Sequence, residues 1–111
     1  AIRISSDGQT LVSGSKDTTI KIWDLKAGAL KTTLTGHGSS VSAVAISPDG
    51  KTIVSGSVDN TVKVWNLTTG ELKTTLTGHT SAVSSVGISP DGQSIVSGSD
   101  DNTLRVWRVS Q

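Results

Sequence analysis

Trp23, Trp65 and Trp107 stand 42 residues apart, and so do His37 and His79 and the Asp-Gly pairs at 7–8, 49–50 and 91–92. A fixed period of this length marks an array of supersecondary units, none of which can bury an apolar face alone. Laying residues 1–42 on 43–84 matches about two-thirds of positions with no insertion, so the 111 residues hold about 2.6 copies.

Within one copy, residues 41–47 alternate as Val-Ser-Ala-Val-Ala-Ile-Ser and end at Pro48-Asp49-Gly50, where Pro presets φ and Gly tolerates φ > 0. A second strand is expected over Thr52–Ser57 and a third, rich in β-branched residues, over Thr61–Leu67. Between them the Asp59-Asn60 pair suits the left-handed positions of a two-residue hairpin. Thr68-Thr69-Gly70 turns the chain again, and Glu71–Thr77 reads as a fourth strand before Gly78-His79 opens the next copy. Helix is excluded because Ser, Thr and Val dominate each segment and Gly or Pro interrupts it within about ten residues. The fold class is therefore all-β, each copy a four-stranded antiparallel meander. Val62 and Val64 fall on one face and Trp65 and Leu67 on the other. Each sheet thus needs a neighbour on both sides, which stacked blades provide.

The repeat explains the composition, 18 Ser and 15 Thr against three aromatic residues. With a formal net charge of +1 there is no basic field to draw the chain onto nucleic acid or anionic lipid. No apolar run exceeds four residues, far below the roughly 20 of a membrane-spanning helix. The expectation is a soluble chain, placed in the cytoplasm, with no nucleic-acid or membrane partner. The absence of Cys removes disulfides and thiolate metal sites and leaves the redox compartment open.

Ala1 aligns with Ala43, inside a first strand, and Gln111 with Thr69, just after a third. Three whole copies of 42 come to 126 residues against the 111 present, a difference of 15 that matches one fourth strand plus a Gly-His. The expected division is 1–34, 35–77 and 78–111, the first blade incomplete at its start and the last without its fourth strand.

The Gly78-His79 lead-in, the Ser-Pro-Asp-Gly turn at 89–92, the run Ser97-Gly98-Ser99-Asp100-Asp101-Asn102 and the closing Val106-Trp107 resemble the WD-repeat β-propeller family over the whole chain. The resemblance implies a partial propeller, three blades per chain, in a family whose rings usually hold about seven. The dipeptide that names the family is intact only at Trp23-Asp24. Asn66 and Arg108 replace the Asp, at a position expected to face solvent, and Ser6 replaces the turn Pro.

Against the same family, His37, Ser55, Asp59 and Trp65 resemble a structural tetrad in which Asp and Ser bond the imidazole and Ser accepts from the indole. His79, Ser97, Asp101 and Trp107 form the next, and Ser13, Asp17 and Trp23 a third without a His. The residue types are those of a hydrolase triad. A nucleophile, however, is a single exposed Ser beside an oxyanion hole, whereas this set recurs and includes a Trp whose N–H needs an acceptor. No catalytic residue, metal site or cofactor is expected. The resemblance also implies binding at one end of the ring, where Lys16, Val58 and Asp100 are joined by Ser40, Ser42, Ala82 and Ser84.

The function expected is a non-catalytic protein–protein interaction scaffold that holds a protein or peptide ligand and completes its ring by homo-oligomerisation. Three blades per chain allow six as a dimer or nine as a trimer. Two other readings are a propeller fragment, engineered or truncated, that acts only in self-assembly, and a carbohydrate-binding propeller. The second is disfavoured because all three Trp occupy third strands.

Overall fold

The computed structural model describes residues 1–108. Residues 109–111, the end of the third expected blade, lie outside them. The first sheet contains β1 (Ile2–Ile4), β2 (Thr10–Gly14), β3 (Ile20–Asp24) and β4 (Ala29–Leu34). The second contains β5 (Val41–Ile46), β6 (Thr52–Ser57), β7 (Val62–Asn66) and β8 (Leu72–Leu76). The third contains β9 (Val83–Ile88), β10 (Ser94–Ser99) and β11 (Leu104–Arg108). Every neighbouring pair is antiparallel and strand order follows the chain, as the alternation and turn signals predict. β1, β5 and β9 lie side by side along the inner wall, and β4 and β8 form outer edges.

The two apolar faces of each sheet do different jobs. The forward face of the first sheet (Val12, Ile20, Ile22) packs on the rear face of the second (Val44, Ile53, Trp65), with Leu34 and Val41 closing the seam. The forward face of the second sheet (Val54, Val62, Val64) packs on Val83 and Ile95, with Trp107 against them. Burying each such side chain contributes roughly 1.5–3 kcal/mol. The seams are therefore the core, and no sheet has one of its own.

Close approach across these seams depends on glycine. A Cβ at Gly14 would lie 2.6 Å from Val41 Cγ1, and one at Gly56 would lie 2.5 Å from Val83 Cγ1. The repeat thus sets a valine knob of each sheet into a glycine hole of the one before.

Turn chemistry recurs as closely. Ser5, Ser47 and Ser89 each donate to the Asp two residues on, and Gly8, Gly50 and Gly92 close the turn by donating to the same Ser carbonyl. Ser6, in the place of Pro48 and Pro90, leaves this turn unchanged. The β6–β7 hairpin differs from expectation. Four residues, Val58–Thr61, separate the strands, Ser57 N–H donates to the Thr61 carbonyl at 3.2 Å, and of the expected pair only Asn60 is left-handed, at φ 74°. The carboxylate is the physical reason: Asp59 Oδ1 accepts from the Thr61 N–H at 2.9 Å, an Asx-turn that fixes Asp59 outside the left-handed region.

The position after the Trp also departs from a plain solvent-facing one. Asp24 Oδ1 accepts from the N–H of Lys26 and Ala27, and Asn66 Oδ1 does the same for Thr68 and Thr69. A side-chain oxygen suffices, so Asp and Asn are equivalent there.

Candidate functional site

Thr35-Gly36-His37 leaves β4 and crosses to the second sheet. Gly36 passes over the indole of Trp65, where a Cβ would meet Cη2 at 3.1 Å, and its φ of 153° is one that L side chains rarely adopt. That path delivers His37 into the seam. His37 Nδ1 lies 3.0 Å from Asp59 Oδ2, and Nε2 lies 2.7 Å from Ser55 Oγ. The indole N–H of Trp65 donates to the same Ser55 oxygen at 2.9 Å. The second copy has the same geometry: His79 to Asp101 3.0 Å, His79 to Ser97 2.7 Å, Trp107 to Ser97 2.9 Å.

Proton placement follows from donor and acceptor capacity. Trp65 donates to Ser55, Ser55 donates to Nε2, and Nδ1–H donates to Asp59, which also accepts from the Gly38 N–H at 2.9 Å. Every polar group is paired and all donors run in one direction, which strengthens the series. Burial of Asp59 favours its neutral form, but the Thr61 hydroxyl, the Gly38 N–H and His37 outweigh it and hold the carboxyl at about 2. Asp101 is held well below the ordinary carboxylate range, chiefly by the Thr103 hydroxyl. Burial pushes the His37 imidazole down against the opposing pull of Asp59.

The connectivity of Ser55, His37 and Asp59 is that of a hydrolase triad. Ser55 and Ser97 are nonetheless fully buried, at 0% exposure, and each oxygen is occupied by an indole donor. No substrate carbonyl can reach them, so the arrangement locks seams. Thr61 and Thr103, overlooked in the sequence, belong to the networks, their hydroxyls donating to Asp59 and Asp101. The recurring Asp-x-Thr at 17–19, 59–61 and 101–103 was the available signal. Among the described residues no group of three or more His, Cys, Asp or Glu is placed to hold a metal. Among them no helix is long and apolar enough to cross a membrane.

In the first sheet Trp23 Nε1 donates to Ser13 at 3.3 Å, while Asp17 Oδ1 accepts from the Thr19 N–H and hydroxyl and Oδ2 faces Lys21 Nζ at 3.5 Å. These contacts hold the Asp17 carboxyl at about 2, the Thr19 hydroxyl contributing most.

The structure gathers Lys16, Val58 and Asp100 at one end, on the three β2–β3-type hairpins, with exposed side chains. Ser40 and Ala82 hold the lead-ins to those hairpins, their carbonyls accepting from Val58 and Asp100 N–H at 2.9 Å. Ser42 and Ser84 sit at bulges and are turned onto backbone: Ser42 donates to the carbonyls of Gly56 and Val83, Ser84 to that of Gly98.

The sequence family described as WD domain, G-beta repeat, matches residues 1–24, 28–66 and 70–108. The chain belongs to the WD-repeat family. Among its relatives, the pre-mRNA-splicing factor PRP46 of Kluyveromyces lactis is 59% identical over 39 residues, 35% of this chain and 9% of that protein. Autophagy-related protein 16 of Arabidopsis thaliana is 40% identical over 45 residues, 40% of this chain and 9% of that protein. Of solved structures, that of U3-55K aligns with TM-score 0.94 and 29% identity over 97% of this chain and 35% of that one. The RRP9 WD40 repeats align equally well, with TM-score 0.94, 29% identity, and 97% and 34% coverage. The chain thus spans about a third of these WD40 structures and under a tenth of the curated relatives' length. The three sheets are propeller blades, and they form an arc rather than a closed ring.

Proposed function

We propose that this WD-repeat chain is a non-catalytic protein–protein interaction scaffold whose ring is completed by further copies of itself, six blades as a dimer or nine as a trimer. The observation that carries the reading is the match between open faces and filled ones. On the third blade Leu104 and Val106, 68% and 64% exposed, stand at the register positions of Val62 and Val64. On the first blade Ile2 and Ile4, 60% and 57% exposed, stand at those of Val44 and Ile46. A second copy docked head to tail repeats a seam the chain already makes twice. Such heterologous contacts end in closed rings or in fibres.

Sedimentation velocity of wild type and of Val106→Asp tests this. Wild type is expected as a discrete oligomer and the variant as a monomer. Equal sedimentation of the two would count against the reading.

Ligand binding is assigned to the hairpin end, where one basic, one apolar and one acidic side chain individualise blades that are otherwise alike. A pure self-assembly module is the second reading, favoured by the near-identity of the seams. Lys16→Ala, Val58→Ala and Asp100→Ala separate the two, since loss of a captured protein with the oligomer intact supports the scaffold.

A further inference from the structure

Charge on the strands is segregated by position. The outer strands β3, β4, β7 and β8 carry Lys21, Lys31, Lys63 and Lys73 against a single carboxylate, Asp24, whose Oδ1 is taken by the N–H groups of Lys26 and Ala27. The inner strands β2, β5, β6, β9 and β10 carry no charged residue. Every other acidic residue stands in a turn at one end of a blade or the other. A net charge of +1 thus conceals a basic outer wall between two acidic ends. Of the four lysines only Lys21 lies within ion-pair distance of a carboxylate among the described residues, that of Asp17 at 3.5 Å. Lys63 Nζ donates to the Thr75 hydroxyl on β8 at 3.0 Å.

The register brings two of these cations to the outer edge. Ile22 pairs with Thr32 and Trp23 with Leu30, so that Lys31 is the extra residue of a bulge, and Lys73 is passed over in the same way between Leu72 and Thr74. A bulge re-aims the side chain it leaves unpaired, and both lysines are exposed. β4 and β8 are also paired on one side only, with β3 and β7, which leaves the backbone donors and acceptors of their other side open. Both strands lie well inside the chain, and β8 belongs to the blade that has a neighbour on each face.

We propose that the outer edges of β4 and β8 are docking strands for an acidic, extended segment of a partner protein, which adds as a fifth strand and sets its carboxylates against Lys31 and Lys73. Main-chain pairing supplies the affinity of such an addition and the side chains its selectivity. A second copy of this chain is the wrong occupant, because edge-to-edge pairing would bring lysine-bearing strands together, the arrangement by which edge strands resist self-pairing. A nucleic acid has no peptide backbone to continue the ladder, and the three Trp on which bases could stack stand on β3, β7 and β11, one strand inside the edge. The surface is separate from the hairpin end and does not depend on ring completion.

The test titrates a fluorescein-labelled peptide, Gly-Glu-Val-Glu-Val-Glu-Val-Gly, into the full chain and reads anisotropy, with amide hydrogen exchange on the same mixture. Saturable binding is expected, with exchange slowed in residues 29–34 and 72–76. The double variant Lys31→Glu, Lys73→Glu should weaken it about tenfold, since each reversal replaces an exposed ion pair with a repulsion. Lys51→Glu, the same charge change in an end turn, should leave it unaltered. Replacing the peptide's Glu residues by Gln should weaken it to the same degree. Absence of binding overturns the proposal, as does equal weakening by Lys51→Glu. Binding without slowed exchange in either strand overturns the strand addition in the wild-type chain, with no variant needed. A uridine hexanucleotide that binds as tightly as the peptide shows attraction for any polyanion and overturns the assignment to an acidic protein segment.

Discussion

Gly56 lies so close to Val83 that a methyl group on it would sit 2.5 Å from Val83 Cγ1, well inside van der Waals contact. This pair joins the second blade to the third, and Gly14 with Val41 joins the first to the second. Gly56→Ala is expected to destabilise the protein by about 1–3 kcal/mol through overpacking. Gly38→Ala, at a position with nothing within 4 Å, is the matched control and should leave the denaturation midpoint nearly unchanged. Urea denaturation of the two variants checks this.

His79→Ala removes the acceptor of Ser97 and a donor to Asp101 inside a buried seam. The expected loss is about 2–4 kcal/mol, from unsatisfied buried polar groups together with lost packing. An unchanged melting temperature would contradict the locking role given to the network.

Acid should unfold the chain in two stages. The His37 imidazole is pushed down by burial, so the unfolded state binds its proton more readily, and stability falls as pH drops below about 6.5. The Asp59 carboxyl, held at about 2, contributes stability that is present above its ordinary value of 3.8 and is lost as pH falls from there toward 2. Melting temperature measured from pH 8 to pH 3 is expected to decline first below 6.5 and again below 4. His37→Gln should remove the first decline only.

The period, the four-strand meander and the assignment of Val62 and Trp65 to opposite faces were legible in the sequence because periodicity and alternation survive in any register-true repeat. The networks were foreseen only as residue types recurring in step. The Asp59 hairpin was misread because the sequence shows the turn residues and not the competing hydrogen bond from Thr61. Ser42 shows a further limit. It stays exposed, as expected of a residue at the binding end, but a bulge between Val41 and Ala43 lets its hydroxyl donate to the backbone of the next blade. A bulge arises from pairing between strands and leaves no local signature.

The first blade carries two repairable departures. Thr18 holds φ 80° where the other blades use Asn60 and Asn102, and a β-branched residue pays about 1–2 kcal/mol there. Thr18→Asn is expected to raise stability by about 1 kcal/mol, since Asn tolerates this conformation far better. Ser6→Pro places Pro in the turn position that Pro48 and Pro90 occupy and is expected to add about 0.4–1 kcal/mol by restricting the unfolded chain. Calorimetry on each single variant and on the pair, whose effects should add, checks both.

The most direct measurement of how the arc is completed is the mass of the purified chain by light scattering on a size-exclusion column, with blades counted in electron micrographs of the same peak. A single species of two or three times 11.4 kDa, seen as closed rings of six or nine blades, is the expected result. A monodisperse monomer of 11.4 kDa would contradict it.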